Sequence, residues 1–187
     1  AKSGVSTRLT ISAFENLIST AERRMLTSGA KETSLRLGDF MGVIPAITGK
    51  VELVYEGEQE GASIVAENLI GAAVKNVLQD YLPPLDDLKS SDKNNPYTGL
   101  IDWFQEGKSV DILFDFSDKE YQDCLKGIKP LRELVKQAKG LNEEEQYFVM
   151  EMVLWALAEA SRLNRERVES GFNFADLYST YLRRGDI

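Results

Sequence analysis

The chain has 187 residues, which is enough for one large domain or two small domains with apolar cores. Its 30 acidic residues outnumber its 22 basic ones, and the net charge of −8 disfavours nonspecific nucleic-acid binding, which requires clustered lysine and arginine. The chain contains no histidine and one cysteine, Cys124, which excludes catalytic pairs and metal sites built on histidine, and any disulfide within the chain.

The same composition bears on location and partners. No apolar run approaches the roughly 20 residues of a membrane-spanning helix, so we expect no membrane span. The shortage of cysteine fits a reducing compartment, and we therefore expect a cytoplasmic protein without nucleic-acid partners.

The first predicted element is an amphipathic helix from Ser12 to about Ser28. Ser12 and Glu15 have the spacing of an N-terminal capping box, and Gly29 suits the end of the helix. Apolar residues recur at helical spacing and predict one buried face. That face is expected to carry Phe14, Leu17, Ile18, Ala21 and Met25.

Two further helices are predicted before residue 85. The first spans Leu37 to about Ile47, where Pro45 indicates a kink or a start, and a short strand is expected at Val51–Tyr55. The second runs from about Ala62 to Leu82, and Pro83–Pro84 ends it. Its apolar stripe is predicted to contain Ile64, Ala66, Leu69, Ile70, Ala73, Val74, Val77, Leu78 and Tyr81.

Leu85–Pro96 is rich in Asp, Ser, Lys and Asn and is interpreted as a linker. We therefore place a domain boundary there, with residues 1–85 in one domain and residues 86–187 in another. The expected fold class is mainly α, with a helical bundle followed by a second helical domain and at most a few short strands.

The second half begins with an extended segment predicted at Val110–Phe114. Ser117 and Glu120 form a further capping box, and Asn142 is expected to cap a helix that runs to about Leu163. The last helix is predicted at Phe174–Arg183. Aromatic residues at helical spacing are expected in the core: Trp103, Phe104, Phe116, Phe148 and Trp155.

The candidate functional motif is Gly4-Val5-Ser6-Thr7-Arg8, because a flexible turn at a helix entrance can present a guanidinium group to a phosphate. From the residues alone, the alternative is a Gly-Ser turn followed by a solvated arginine. Gly107-Lys108-Ser109 resembles the end of a phosphate-binding loop, but it follows a helix and precedes an extended segment, which is the reverse of the required order.

The opening motif carries a family resemblance. Ser3–Arg8, followed by Ser19–Met25, resembles the sensor-2 segment and first lid helix of the AAA+ ATPases that are grouped with the magnesium chelatase ATPase subunit and the MoxR-type chaperones. Further along, Gly49–Leu53, Glu56–Gly61 and Tyr97–Phe104 are similar to bacterial chelatase-like proteins.

The resemblance implies that residues 1–85 are the lid and extension of a larger ring-forming ATPase, and that residues 86–187 are an appended domain of unknown role. Arg8 would be the sensor-2 arginine, which approaches the terminal phosphates of ATP in its own or a neighbouring subunit. Arg23 and Arg24 are expected to be surface or intersubunit charges.

The parent ATPase core would hold ATP and Mg²⁺, since this chain lacks a Walker A loop and Walker B acids. We therefore expect no catalytic residue, metal ligand or bound cofactor in this chain alone. Its expected partners are the upstream core, the neighbouring subunits of the ring and an unknown protein client. The activity implied is ATP-driven remodelling or metal-insertion chaperoning.

The sequence also allows an alternative function of a different kind. The chain could be a self-standing helical interaction or scaffold domain with no nucleotide role. A phosphate-binding loop in the same reading frame distinguishes the ATPase from this alternative.

Overall fold

The computed structural model describes residues 7–48, 50, 61–85 and 95–178. These residues are mainly helical with one small three-stranded sheet, which confirms the predicted fold class. The chain divides into two compact units, Ala1–Gly71 and Ala72–Ile187. The sequence instead predicts the boundary at residues 85 and 86, and that domain assignment stays a prediction.

The first unit is built around helix α1 (Thr7–Ser28), which packs against a 3₁₀ helix (Leu37–Val43) and helix α2 (Ile44–Thr48). Gly29 ends α1 in the left-handed region, with φ of 71°, as predicted. The capping box predicted at Ser12 is wrong, because α1 is already helical from Thr7 and Ser12 lies inside it.

The buried face of α1 is narrower than its apolar pattern predicts. Leu17 and Ala21 are buried, whereas Phe14 is 63% exposed and Ile18 and Met25 are half-buried. The prediction that Phe14 lies inward is therefore wrong. Amphipathic periodicity predicts which positions of α1 form an apolar face. The 3₁₀ helix and α2 are short, however, and cover only part of that face.

The segment predicted as one helix from Leu37 to Ile47 consists of the 3₁₀ helix and α2. Pro45 is the second residue of α2, a position where the missing backbone N–H leaves no helical hydrogen bond unmade. It thus acts at a helix start, one of the two roles predicted for it. The strand predicted at Val51–Tyr55 lies outside the described residues.

Helix α3 (Ala62–Leu78) ends four residues before the predicted Leu82. One row of small and branched apolar residues is buried along it, at a spacing of four. Other members of the predicted stripe are exposed, so that stripe is only partly correct. The buried row is Ala66, Ile70, Val74 and Leu78, and the exposed residues are Ile64, Leu69, Ala73 and Val77, together with Tyr81 beyond the helix end.

The second unit alternates short helices with strands. It contains α4 (Thr98–Gln105), β1 (Ser109–Leu113), α5 (Asp118–Lys126), α6 (Lys129–Val135), α7 (Glu143–Glu159), β2 (Asn164–Val168) and β3 (Gly171–Ala175).

Both caps predicted in this unit are confirmed. The Ser117 hydroxyl accepts the Glu120 backbone N–H at 3.3 Å, and the Asn142 side-chain oxygen accepts the Glu145 N–H at 2.9 Å. In each case the glutamate carboxylate in turn accepts the backbone N–H of the cap residue.

The three strands form an antiparallel sheet in the order β1-β3-β2. The extended segment predicted at Val110–Phe114 corresponds to β1. The last helix, predicted at Phe174–Arg183, is wrong at its start, because Phe174 and Ala175 belong to β3; residues 179–183 lie outside the described residues. The Gly171–Ala175 segment alternates large and small side chains, which is a strand pattern, and two neighbouring strands pair with it along its whole length.

Helix α7 is the centre of the second core. It contacts α5, α6 and β2, and it is buried on every side from Val149 to Leu157. Phe104 and Trp155 are fully buried, whereas Trp103, Phe116 and Phe148 are half-buried. In the part of the chain that the structure describes, no helix combines the length and apolar character that crossing a membrane requires.

Candidate functional site

Arg8 is the second residue of α1 and is exposed. The turn before it, Ser3–Ser6, lies outside the described residues. The first turn of α1 contains no acidic side chain. The positive end of the helix dipole is therefore not neutralised by a carboxylate in that turn, and an arginine placed there adds to a field that favours anions.

Lys50 brings a second cation to the same end of α1. Its ammonium group donates to the Ser12 hydroxyl at 2.9 Å and lies 3.4 Å from the Arg8 carbonyl oxygen. The sequence does not indicate that Lys50 lies near the start of α1, because Lys50 is distant from Arg8 in sequence and shares no motif with it. The effect is to increase the positive charge around the start of the helix.

A buried ion pair lies near the other end of α1. Arg24 donates from Nε to Asp39 Oδ1 at 3.0 Å and from Nη2 to Asp39 Oδ2 at 2.8 Å. The two side chains are 9% and 4% exposed. This two-pronged geometry is the strongest form of an arginine–carboxylate contact. Arg24 is thus not a surface charge, which corrects the prediction made for it, whereas Arg23 is exposed as expected.

Further hydrogen bonds complete the surroundings of this pair. The Arg24 guanidinium also donates to the Thr33 hydroxyl at 2.7 Å and to the Ser34 carbonyl at 2.8 Å. The Arg36 backbone N–H donates to Asp39 Oδ2 at 2.9 Å. The pair therefore joins α1 to the loop that follows it and to the start of the 3₁₀ helix. No local sequence signal identifies it, since its partners come from three separate segments.

Gly42 allows the 3₁₀ helix to approach α1 closely. A Cβ atom built at Gly42 would overlap the Thr20 hydroxyl oxygen and lie 3.0 Å from the Thr20 Cβ. Thr20 is one turn from Arg24 on α1, so the close approach and the ion pair fix the same stretch of the helix.

Two pairs of polar side chains in the second unit are hydrogen-bonded to each other. The Tyr121 hydroxyl donates to Oε2 of Glu151, which is 1% exposed, at 2.8 Å. On the sheet, Asn173 Nδ2 donates to Asp111 Oδ1 at 2.7 Å. These hydrogen bonds offset the free-energy cost of removing the polar side chains from water. The four residues therefore have structural roles.

Cys124 is a poor nucleophile in this setting. Its Sγ donates to the Asp111 carbonyl oxygen at 3.4 Å. Burial, with smaller contributions from the negative charges of Asp111 and Glu151, raises the pKa of the thiol to about 11. The reactive thiolate is therefore scarce at neutral pH.

Neither a metal site nor the surface pocket at the start of α7 identifies a catalytic group among the described residues. No group of three or more cysteine, aspartate or glutamate side chains among them is arranged to hold a metal ion. A surface pocket of about 370 Å³ lies at the start of α7, where glutamates complement the helix dipole. It is lined by Gln122, Asn142, Glu143, Glu144 and Tyr147.

Comparisons with known proteins leave the family open. No family model, no curated protein and no solved structure matches this chain.

Proposed function

We propose that residues 1–85 serve as the lid of a ring-forming AAA+ ATPase of the magnesium chelatase and MoxR type, with Arg8 as its sensor-2 arginine. The observation that carries the proposal is the position of Arg8, which is exposed in the first turn of a 22-residue helix with no acid in that turn. Lys50 adds positive charge at the same end. A phosphate group suits this environment, because its oxygens accept hydrogen bonds from a guanidinium group and its charge is favoured at the start of a helix.

In this proposal the ATPase core of the same polypeptide holds ATP and Mg²⁺, and Arg8 stabilises charge on the terminal phosphates as hydrolysis proceeds. Movement of the lid couples nucleotide state to the remodelling of a protein client, or to chaperoned metal insertion, in the cytoplasm. Residues 86–187 are appended to the lid, and their proposed role in the machine is contact with a partner.

Replacing Arg8 tests the proposal. In the polypeptide that carries the phosphate-binding loop, Arg8→Ala should lower the kcat of ATP hydrolysis about ten- to a hundredfold. A charge-assisted hydrogen bond contributes roughly 1.5–3 kcal/mol, and each ~1.4 kcal/mol is a factor of ten in rate. Arg8→Lys should restore only part of the rate, because an ammonium group cannot form a two-pronged contact with phosphate oxygens.

Arg23→Ala is the matched control, since Arg23 is also an exposed arginine on α1 but lies about 22 Å along the helix from Arg8. It should leave hydrolysis unchanged. Unchanged hydrolysis and nucleotide affinity in Arg8→Ala would show that the sensor assignment is wrong.

One observation favours the second candidate, an interaction domain with no nucleotide role. Ile11 and Phe14 lie three residues apart on α1 and are 56% and 63% exposed. Large exposed apolar side chains on one helix face favour contact with another protein. If Ile11→Ser and Phe14→Ser abolish assembly while Arg8→Ala has no effect on any activity, the interaction domain is the better account.

A further inference from the structure

We propose that Arg24 and Asp39 are positioning residues for Arg8, because their buried ion pair fixes the direction of α1 relative to the 3₁₀ helix. The inference rests on the proposed function. It goes beyond that function by assigning a role to two side chains that contact no nucleotide. It begins from the network of hydrogen bonds around Arg24, which joins α1, the Thr33–Ser34 loop and Asp39.

The 3₁₀ helix approaches α1 tightly where Gly42 meets Thr20. We take this point as the pivot when α1 tilts relative to the 3₁₀ helix. At 1.5 Å per residue, Arg24 lies about 6 Å from this contact along the helix axis, and Arg8 lies about 18 Å away on the opposite side. A displacement at the ion pair is therefore magnified about threefold at Arg8. A shift of about 0.5 Å at Arg24 becomes about 1.5 Å at the phosphate-facing end.

A displacement of this size matters for catalysis. Misplacing a reacting or stabilising group by about 1 Å can reduce a rate about a hundredfold. A second polar contact of the helix, between Lys50 and Ser12, is exposed and is therefore weakened by water. The buried pair resists displacement more strongly, because separating its charges in a dry environment leaves both uncompensated.

Two conservative substitutions test the role of the pair in the ATPase polypeptide. Arg24→Lys keeps the positive charge but loses the two-pronged contact, and Asp39→Asn keeps the size of the side chain but loses its charge. Each should lower kcat about tenfold and leave the KM for ATP within about twofold. Thermal melting of both variants establishes that the lid is folded at the assay temperature.

A double-mutant cycle separates positioning from a general structural role. If the pair acts through Arg8, then Asp39→Asn should have little further effect on kcat in the Arg8→Ala background. Losses that multiply would show that the pair acts independently of Arg8. A folded Arg24→Lys variant and a folded Asp39→Asn variant with normal kcat would also overturn the inference.

The failure of the inference is distinguishable from the failure of the proposed function. If Arg8→Ala leaves hydrolysis unchanged, the proposed function fails and the positioning role fails with it. If Arg8→Ala lowers kcat but the pair variants do not, or if the losses multiply, the proposed function stands and only the positioning role is wrong.

Discussion

Arg24 connects three segments of the first unit through its guanidinium group. It donates two hydrogen bonds to the carboxylate of Asp39, and it also donates to the Thr33 hydroxyl and the Ser34 carbonyl. A buried charge is tolerated only when it is paired and fully hydrogen-bonded. Removal of either partner leaves the other charge uncompensated. Substituting one residue of the pair therefore lowers stability by more than the pair itself contributes to folding.

Arg24→Ala should therefore lower the free energy of unfolding of the first unit by about 3–5 kcal/mol, the usual cost of breaking a buried pair. Urea denaturation followed by circular dichroism measures this loss. Arg23→Ala is the matched control, because Arg23 is the neighbouring exposed arginine, and its effect should stay within about 0.5 kcal/mol. Equal effects of the two substitutions would contradict the structural role of the pair.

Tyr97 gives the second unit a dependence on alkaline pH. Its hydroxyl donates to the Pro83 carbonyl at 2.6 Å, and burial raises its pKa from 10.0 to about 12. Because the folded state holds the proton more tightly, the stability that this group contributes is complete below pH 10 and is lost as pH rises through about 12.

The stability advantage of the unchanged protein over Tyr97→Phe should accordingly shrink as pH rises from 10 to about 12, as measured by urea denaturation. Cys124 titrates in both proteins, so its contribution cancels in the comparison. A constant difference across this pH range would show that the phenol is not more weakly acidic in the folded state.

At the scale of elements, the approach of the 3₁₀ helix to α1 depends on Gly42. A side chain there would overlap Thr20, and overpacking of this kind costs about 1–3 kcal/mol. Gly42→Ala should lower the melting temperature, and Thr20→Ala in the same protein should restore part of it.

Gly99→Ala provides the opposite control for this substitution. Gly99 lies in α4, and a Cβ there would meet its nearest neighbour, the Pro130 Cβ, at an ordinary 3.9 Å. Alanine should raise stability by about 0.5–1 kcal/mol at such a helical position. Destabilisation of similar size at both glycines would contradict the close-approach argument.

Elements with local signals could be predicted from the sequence, and those that depend on distant partners could not. The caps at Ser117 and Asn142 are recognisable because each involves residues three apart in sequence. Strand β2, with the sequence Asn164–Val168, is charged and has no apolar alternation, so its pairing with β3 decides its structure.

The candidate site follows the same rule. Arg8 could be proposed from its motif, whereas the contacts of Lys50 with Ser12 and of Arg24 with Asp39 arise only when separate segments fold together. Helical periodicity likewise could not tell that Phe14 would be left exposed, because it does not specify how wide a surface covers the helix.

At the scale of the whole molecule, the chain contains two compact units but no phosphate-binding loop. The purified chain should therefore show no magnesium-dependent ATP turnover, since the groups that hold the metal ion and orient the attacking water are missing. A phosphate-release assay with ATP and Mg²⁺ measures this. Robust turnover that copurifies with the chain would contradict the proposal that it is a non-catalytic lid and extension.

The weak acidity of Cys124 has a practical consequence for measurements on this protein. With a pKa of about 11, its thiol is almost entirely protonated at pH 7 and reacts slowly with maleimides. No other cysteine competes for the reagent. A cysteine introduced at an exposed position of α1 could therefore be labelled selectively with a fluorophore in the otherwise unchanged sequence, which makes the motion of α1 directly observable.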